Sequence, residues 1–145
     1  MKEAYLWAKV KKGLEKASNN RIFLQRHEDK FCPGIPDVSF CYEGVSGWIE
    51  LKYLPKWPSK NSREIKHHTP HQKLWAKRYI ESGGNYFLLL QVGNTCYLFC
   101  NGYSAENVYL EDVKKLDYKL LLYIFKYKNK GFLKDEKPNA TAERC

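Results

Sequence analysis

The sequence predicts a single α/β domain in the order helix, three strands, helix, two strands, helix. Three observations carry that expectation. The 145 residues are 43% apolar and 15% aromatic, enough to close one core. Segments of helical period and of strand alternation follow one another, punctuated by Gly, Pro and Asn. No segment repeats, and no composition shift marks a second domain.

Residues 3–17 (EAYLWAKVKKGLEKA) put Leu6, Val10 and Leu14 at helical spacing beside Tyr5 and Trp7, and Asn19-Asn20 end the helix. RIFLQRH, apolar at Ile22 and Leu24, is a short strand, and FCPGIP breaks regularity with two prolines and a glycine. DVSFCYE and GWIELKY are strands joined as a hairpin through Glu43-Gly44-Val45-Ser46-Gly47. Residues 55–71 form a long, basic, proline-interrupted loop, of a kind more often functional or mobile than idle.

Thr69 is the expected N-cap of the next helix, with Pro70 at its first position and HQKLWAKRYIES running to Gly83-Gly84. NYFLLLQVG and TCYLFC are strands around Gly93-Asn94, the first apolar enough to lie mid-sheet. ENVYLEDVKKLDYKLLLYIFKYK reads as one or two helices. Leu116, Leu120, Tyr123 and Ile124 recur there at core spacing, which favours packing on the sheet or on a dimer partner over a membrane-surface helix. The polar DEKPNATAERC ends the chain, so the domain is set at 1–134 and a frayed tail at 135–145.

Lys and Arg number 25 against 16 Asp and Glu, a formal charge of +9 that suits a polyanionic partner. No apolar stretch approaches the ~20 residues needed to span a bilayer. The N-terminal MKEAYLWAKVKK has no signal-peptide core. The five cysteines (32, 41, 96, 100 and 145) are odd in number and form no CxxC pair, so free thiols in a reducing, cytoplasmic setting are expected. His67, His68 and His71 form HHxxH, which lacks the Glu of HExxH and has no cysteine at finger spacing, so zinc is not expected there.

The chemistry concentrates in Pro36-Asp37 and in Glu50-Leu51-Lys52. On a strand alternate residues share a face, so Glu50 and Lys52 emerge together while Ile49 and Leu51 point into the core. Pairing through the hairpin brings Asp37 near Glu50. Two carboxylates at one point suit Mg²⁺, with Mn²⁺ as a substitute, and a lysine beside them can offset charge developing on a phosphate. An isolated ExK on a strand is more often a solvated ion pair. Here the strand is otherwise apolar, PD lies one hairpin upstream, and the whole chain is basic. Directly after it, Lys56, Lys60, Arg63, Lys66 and Lys73, with Trp57 among them and His71 nearby, suit phosphate tracking on DNA.

PD followed by ExK on adjacent strands after an N-terminal helix resembles the PD-(D/E)XK nuclease superfamily. The stretch RIFLQRHEDKFCPGIPDVSFCYEGVSGWIELKY, with Gln72 opening the next helix, resembles the small VRR-NUC-type and Holliday-junction-resolvase-like endonucleases common in phages. The likeness covers roughly residues 3–99. It implies a restriction-endonuclease-like fold: a central mixed sheet flanked by helices, with an αβββαβ core plus a C-terminal helix. It further implies metal binding by Asp37, Glu50 and the Leu51 carbonyl, a catalytic Lys52, and a Gln72 that holds water or phosphate. Many members add a glutamate from the first helix. Glu3 fits that role better than Glu15, and Glu28 of Arg26-His27-Glu28 is a third candidate. A cytoplasmic location would be the host's if a phage encodes the chain.

Three functions follow as alternatives. The first is a Mg²⁺-dependent endodeoxyribonuclease, with Holliday junctions or other branched DNA as candidate substrates. The second is a catalytically inactive nucleic-acid-binding module, and the third a phage interaction protein on the same fold. Symmetric cutting of a four-way junction needs two sites, so a resolvase implies a homodimer.

Overall fold

The computed structural model describes residues 3–28, 34–57, 69–101, 108–112 and 116–127. Among them the chain runs α1 (Glu3–Ala17), β1 (Phe23–Arg26), β2 (Val38–Tyr42), β3 (Val45–Leu54), α2 (Pro70–Glu81), β4 (Tyr86–Val92), β5 (Thr95–Cys100), β6 (Val108–Asp112) and α3 (Tyr118–Tyr127). The strands form one mixed sheet in the order β1-β2-β3-β4-β5-β6. Only β3 and β4 run parallel among these pairs. Parallel neighbours need a crossover, and α2 lies in it.

Leu6, Val10 and Leu14 of α1 are buried, as their spacing demands, and pack with Val38, Phe40, Ile49, Leu51, Phe87 and Leu89 on one sheet face. Leu121, Leu122, Ile124 and Phe125 of α3 complete that layer. The other face joins Leu54, Leu88, Leu90, Val92 and Phe99 to Ala76 of α2, with Trp48, Trp75 and Tyr79 around the edge. Every residue of β4 is buried, as befits a strand covered on both faces. The restriction-endonuclease-like α/β architecture expected from the sequence is therefore the one observed, with an additional strand.

That strand is a correction. Val108–Asp112 lies in a segment whose periodicity predicts helix, yet it pairs antiparallel with β5 from Thr95↔Asp112 to Phe99↔Val108. An unpaired sheet edge offers a ladder of hydrogen bonds, which outweighs a weak local helical preference in a Val-Tyr-Leu stretch. The helix starts only after Asp117, whose Oδ1 accepts from the Leu120 N–H at 3.1 Å. Its buried side differs in part from the expected one: Ile124 is buried, but Tyr123 is 56% exposed.

The β2–β3 connection is also tighter than expected. Glu43 (φ 48°) and Gly44 (φ 86°) alone make the turn, in the type I′ geometry that matches strand twist. Val45, Ser46 and Gly47 already pair with Tyr42, Cys41 and Phe40. Cys41 carries a free thiol, whereas Cys100 is disulfide-bonded, so the expectation of free thiols throughout does not hold. No helix among the described residues is long and apolar enough to cross a membrane. The expected tail at 135–145 lies outside the described residues.

Candidate active site

The last register pair between β2 and β3 is Val38↔Ile49, whereas β3 continues to Leu54 alongside β4. Beyond Ile49 the β2-side edge of β3 therefore has no strand partner among the described residues. Asp37 fills the first gap: its Oδ2 accepts the Leu51 N–H at 2.8 Å. A residue's N–H and C=O point to the same side of an extended strand, so the Leu51 carbonyl opens toward this edge as well. The Asp37 carbonyl accepts the His27 N–H at 2.7 Å, which pins Asp37 to the end of β1.

Glu50 and Lys52 share the α2-side face of β3, as alternation requires, but they are not a solvated pair. Glu50 is 1% exposed and Lys52 6%, with Lys52 Nζ 3.3 Å from Glu50 Oε2. Charged groups are rarely buried without a compensating arrangement. Here Gln72 supplies part of it. Its Nε2 donates to Glu50 Oε2 at 3.0 Å, while its Oε1 accepts the Thr69 N–H at 2.9 Å. Thr69 Oγ1 in turn accepts the Gln72 N–H, closing a capping box at the start of α2.

Gly34 lets the Pro36-Asp37 segment approach this helix. Its φ is +97°, and a Cβ there would stand 2.5 Å from the His71 carbonyl oxygen. Only glycine takes that conformation against that neighbour without strain.

Burial pushes the Glu50 carboxyl up to about 8, and the neighbouring Asp37 charge adds to the shift while Lys52 opposes it. Asp37 is raised as well, chiefly by burial. The Leu51 N–H, Lys52 and Arg26 pull the other way. Burial and mutual repulsion thus disfavour both carboxyls in their ionised forms, and a divalent cation bound there would favour those forms. Among the described residues no cluster of three or more His, Cys, Asp or Glu side chains could hold a metal. Asp37, Glu50 and the Leu51 carbonyl form a hard oxygen donor set, of the kind Mg²⁺ would take with waters completing its shell.

The remaining sequence candidates divide clearly. Glu3, half-buried at the start of α1, is near enough for its charge to push Glu50 up further. Glu15 is at the other end of α1, where its Oε2 accepts from Lys11 Nζ at 2.9 Å. Glu28 is exposed beyond β1. His71 and Lys73 flank Gln72 on the first turn of α2, and Lys56 is exposed just after β3. Lys60, Arg63 and Lys66, like His67 and His68, lie outside the described residues.

Arg26, not among the site residues expected from the sequence, belongs here. Its charge lowers Asp37, its guanidinium lies 5.8 Å from the Trp7 ring centre, and its Nε is buried with no hydrogen-bond partner among the described residues. Its register at the end of β1, opposite Val38, places it there, and no local sequence signal gives that register. A groove of about 910 Å³ between α1 and the start of α3 contains none of these groups.

Fold and site together define a restriction-endonuclease-like α/β domain with a buried glutamate and lysine beside a half-buried aspartate where β3 outruns β2. The structure is similar to that of Hjc, a Holliday junction resolvase from the archaeal hyperthermophile Archaeoglobus fulgidus, with a TM-score of 0.52 and 14% sequence identity. The match covers 82% of this chain and 98% of that one. The likeness is one of fold. No family model and no curated protein matches the sequence.

Proposed function

We propose that this chain is a divalent-metal-dependent endodeoxyribonuclease that hydrolyses phosphodiester bonds at Asp37, Glu50 and Lys52. The observation that carries the reading is the burial of Glu50 and Lys52 together beside Asp37, with Glu50 hydrogen-bonded to Gln72. A pair of charges kept out of water costs stability unless something needs it there.

Asp37, Glu50 and the Leu51 carbonyl would hold Mg²⁺ or Mn²⁺, with Glu3 at the margin. When bound, the metal would polarise the phosphate and make a water molecule more acidic. The protein's own groups do the rest. Lys52 places a cation where negative charge builds on the phosphate, and Arg26 adds positive potential beside Asp37. Gln72 orients Glu50 through its amide. Lys56, His71 and Lys73, with Lys60, Arg63 and Lys66 of the basic loop, would contact the DNA backbone.

The fold likeness to a Holliday junction resolvase supports branched DNA as the substrate class and a homodimer as the working form. The test is a panel of labelled duplex, single-stranded, flap and four-way DNAs with Mg²⁺, Mn²⁺ or EDTA. Cleavage that requires metal and is lost in Asp37→Ala supports the reading. Salt-sensitive binding with no cleavage of any substrate would replace it with the binding-module alternative.

A further inference from the structure

On the outward side of α2, His71, Leu74, Trp75, Arg78, Tyr79 and Ser82 line a cleft of about 460 Å³. Their three- and four-residue spacing makes them one stripe along the helix. Leu74 is 54% exposed in the middle of it, and Trp75 is half-buried. The aromatic rings are in series. Trp75 stacks on Tyr79 at 4.9 Å, meets Trp48 edge-on at 5.4 Å, and Trp48 lies 4.7 Å from the His27 ring.

This row abuts the site from two sides. Trp48 precedes Glu50 by two residues and shares its face of β3, while Trp75 lies about one helical turn beyond Gln72. Cations accompany the rings: Arg78 stands in the stripe, and Lys77 is exposed beside it. An apolar face meant only for the core needs neither an exposed leucine nor flanking cations. Rings beside positive charge are what a nucleic-acid strand requires, because every base has a π-face and every nucleotide a phosphate.

We propose that this cleft is a stacking platform for an unpaired nucleotide next to the phosphate being cut. Trp75 then makes the site favour DNA with extruded bases over continuous duplex, whose base faces are already covered by their neighbours. The inference rests on the nuclease reading above and narrows its substrate class.

The test is fluorescence of 2-aminopurine in a bulge or in a paired position of the same hairpin DNA, bound by the full chain in EDTA. Quenching on binding is expected for the bulged base and not for the paired one. Trp75→Ala should abolish the quench and weaken bulge binding by about tenfold. Binding of the paired hairpin should change by less than about twofold, and Trp75→Phe should retain the preference. Equal wild-type affinities for the two DNAs would overturn the proposal. So would equal losses on both in Trp75→Ala, or a dimer that becomes monomeric in that variant, which would make the stripe an interface between copies. Cleavage assays on the same DNAs in Mg²⁺ separate the two claims. A bulge-specific quench without cleavage overturns only the nuclease reading. Cleavage of bulged DNA that Trp75→Ala leaves unchanged overturns only the platform.

Discussion

The Gln72 side-chain amide donates to Glu50 Oε2 at 3.0 Å, so one residue both caps α2 and holds the acid of β3. That double role makes Gln72→Ala informative. Loss of the cap should cost about 1 kcal/mol, or about 2–4 °C in Tm for a chain of this size. Cleavage should fall further than that stability change explains, by about tenfold to a hundredfold in kcat at saturating substrate. Thermal melts beside single-turnover rates check both. A rate that follows stability alone would reduce Gln72 to a capping residue.

Asp37→Asn should separate stability from chemistry. Asparagine keeps an acceptor for the Leu51 N–H and removes one of two crowded negative charges. The metal-free variant should match or exceed wild-type stability at pH 8 while losing at least about a hundredfold in cleavage rate. Asp37→Ala, by contrast, orphans the Leu51 N–H and should destabilise by about 1–3 kcal/mol. Urea denaturation in EDTA distinguishes these outcomes, and equal destabilisation by both variants would contradict the assigned geometry.

Glu50 gives a pH dependence of definite sign. Its carboxyl is raised from 4.5 to about 8 in the folded state, so the native protein binds more protons than the unfolded chain across that window. Stability of the metal-free protein should therefore be fullest below the lower value and decline as pH rises through the upper one. The loss is on the order of a few kcal/mol. Mg²⁺ should restore stability at pH 8, with proton release measurable by titration calorimetry in two buffers. Metal-free stability that rises steadily from pH 5 to pH 8 would contradict this.

Gly34→Ala tests the approach of the Asp37 segment to α2. The added Cβ meets the His71 carbonyl oxygen at 2.5 Å, and φ is +97°. A destabilisation of about 1–3 kcal/mol is expected, together with a lower metal affinity as Asp37 is displaced. An unchanged Tm and unchanged Mg²⁺ titration would show that the segment can move without consequence.

Much of this arrangement is legible in the sequence because the period of a strand is two. That period alone puts Glu50 and Lys52 on one face, and Thr69-Pro70 marks the start of α2 through local chemistry. Other features depend on partners distant in sequence. Nothing local to Val108–Asp112 reveals that the β5 edge is available to it. The burial of Glu50 and Lys52 comes from α2 covering a face that a lone hairpin would leave wet. Arg26 becomes part of the site only through its register opposite Val38. The stripe of α2 that carries Trp75 reads locally as an ordinary amphipathic helix.

The most direct test of the central claim is the single-turnover rate on the best-cut DNA, wild type against Lys52→Ala, in Mg²⁺ and in EDTA. The expected result is wild-type cleavage in Mg²⁺ alone and a loss of at least about a hundredfold in Lys52→Ala, with its circular dichroism and DNA affinity retained. Full activity in Lys52→Ala, or wild-type cleavage that persists in EDTA, would contradict it.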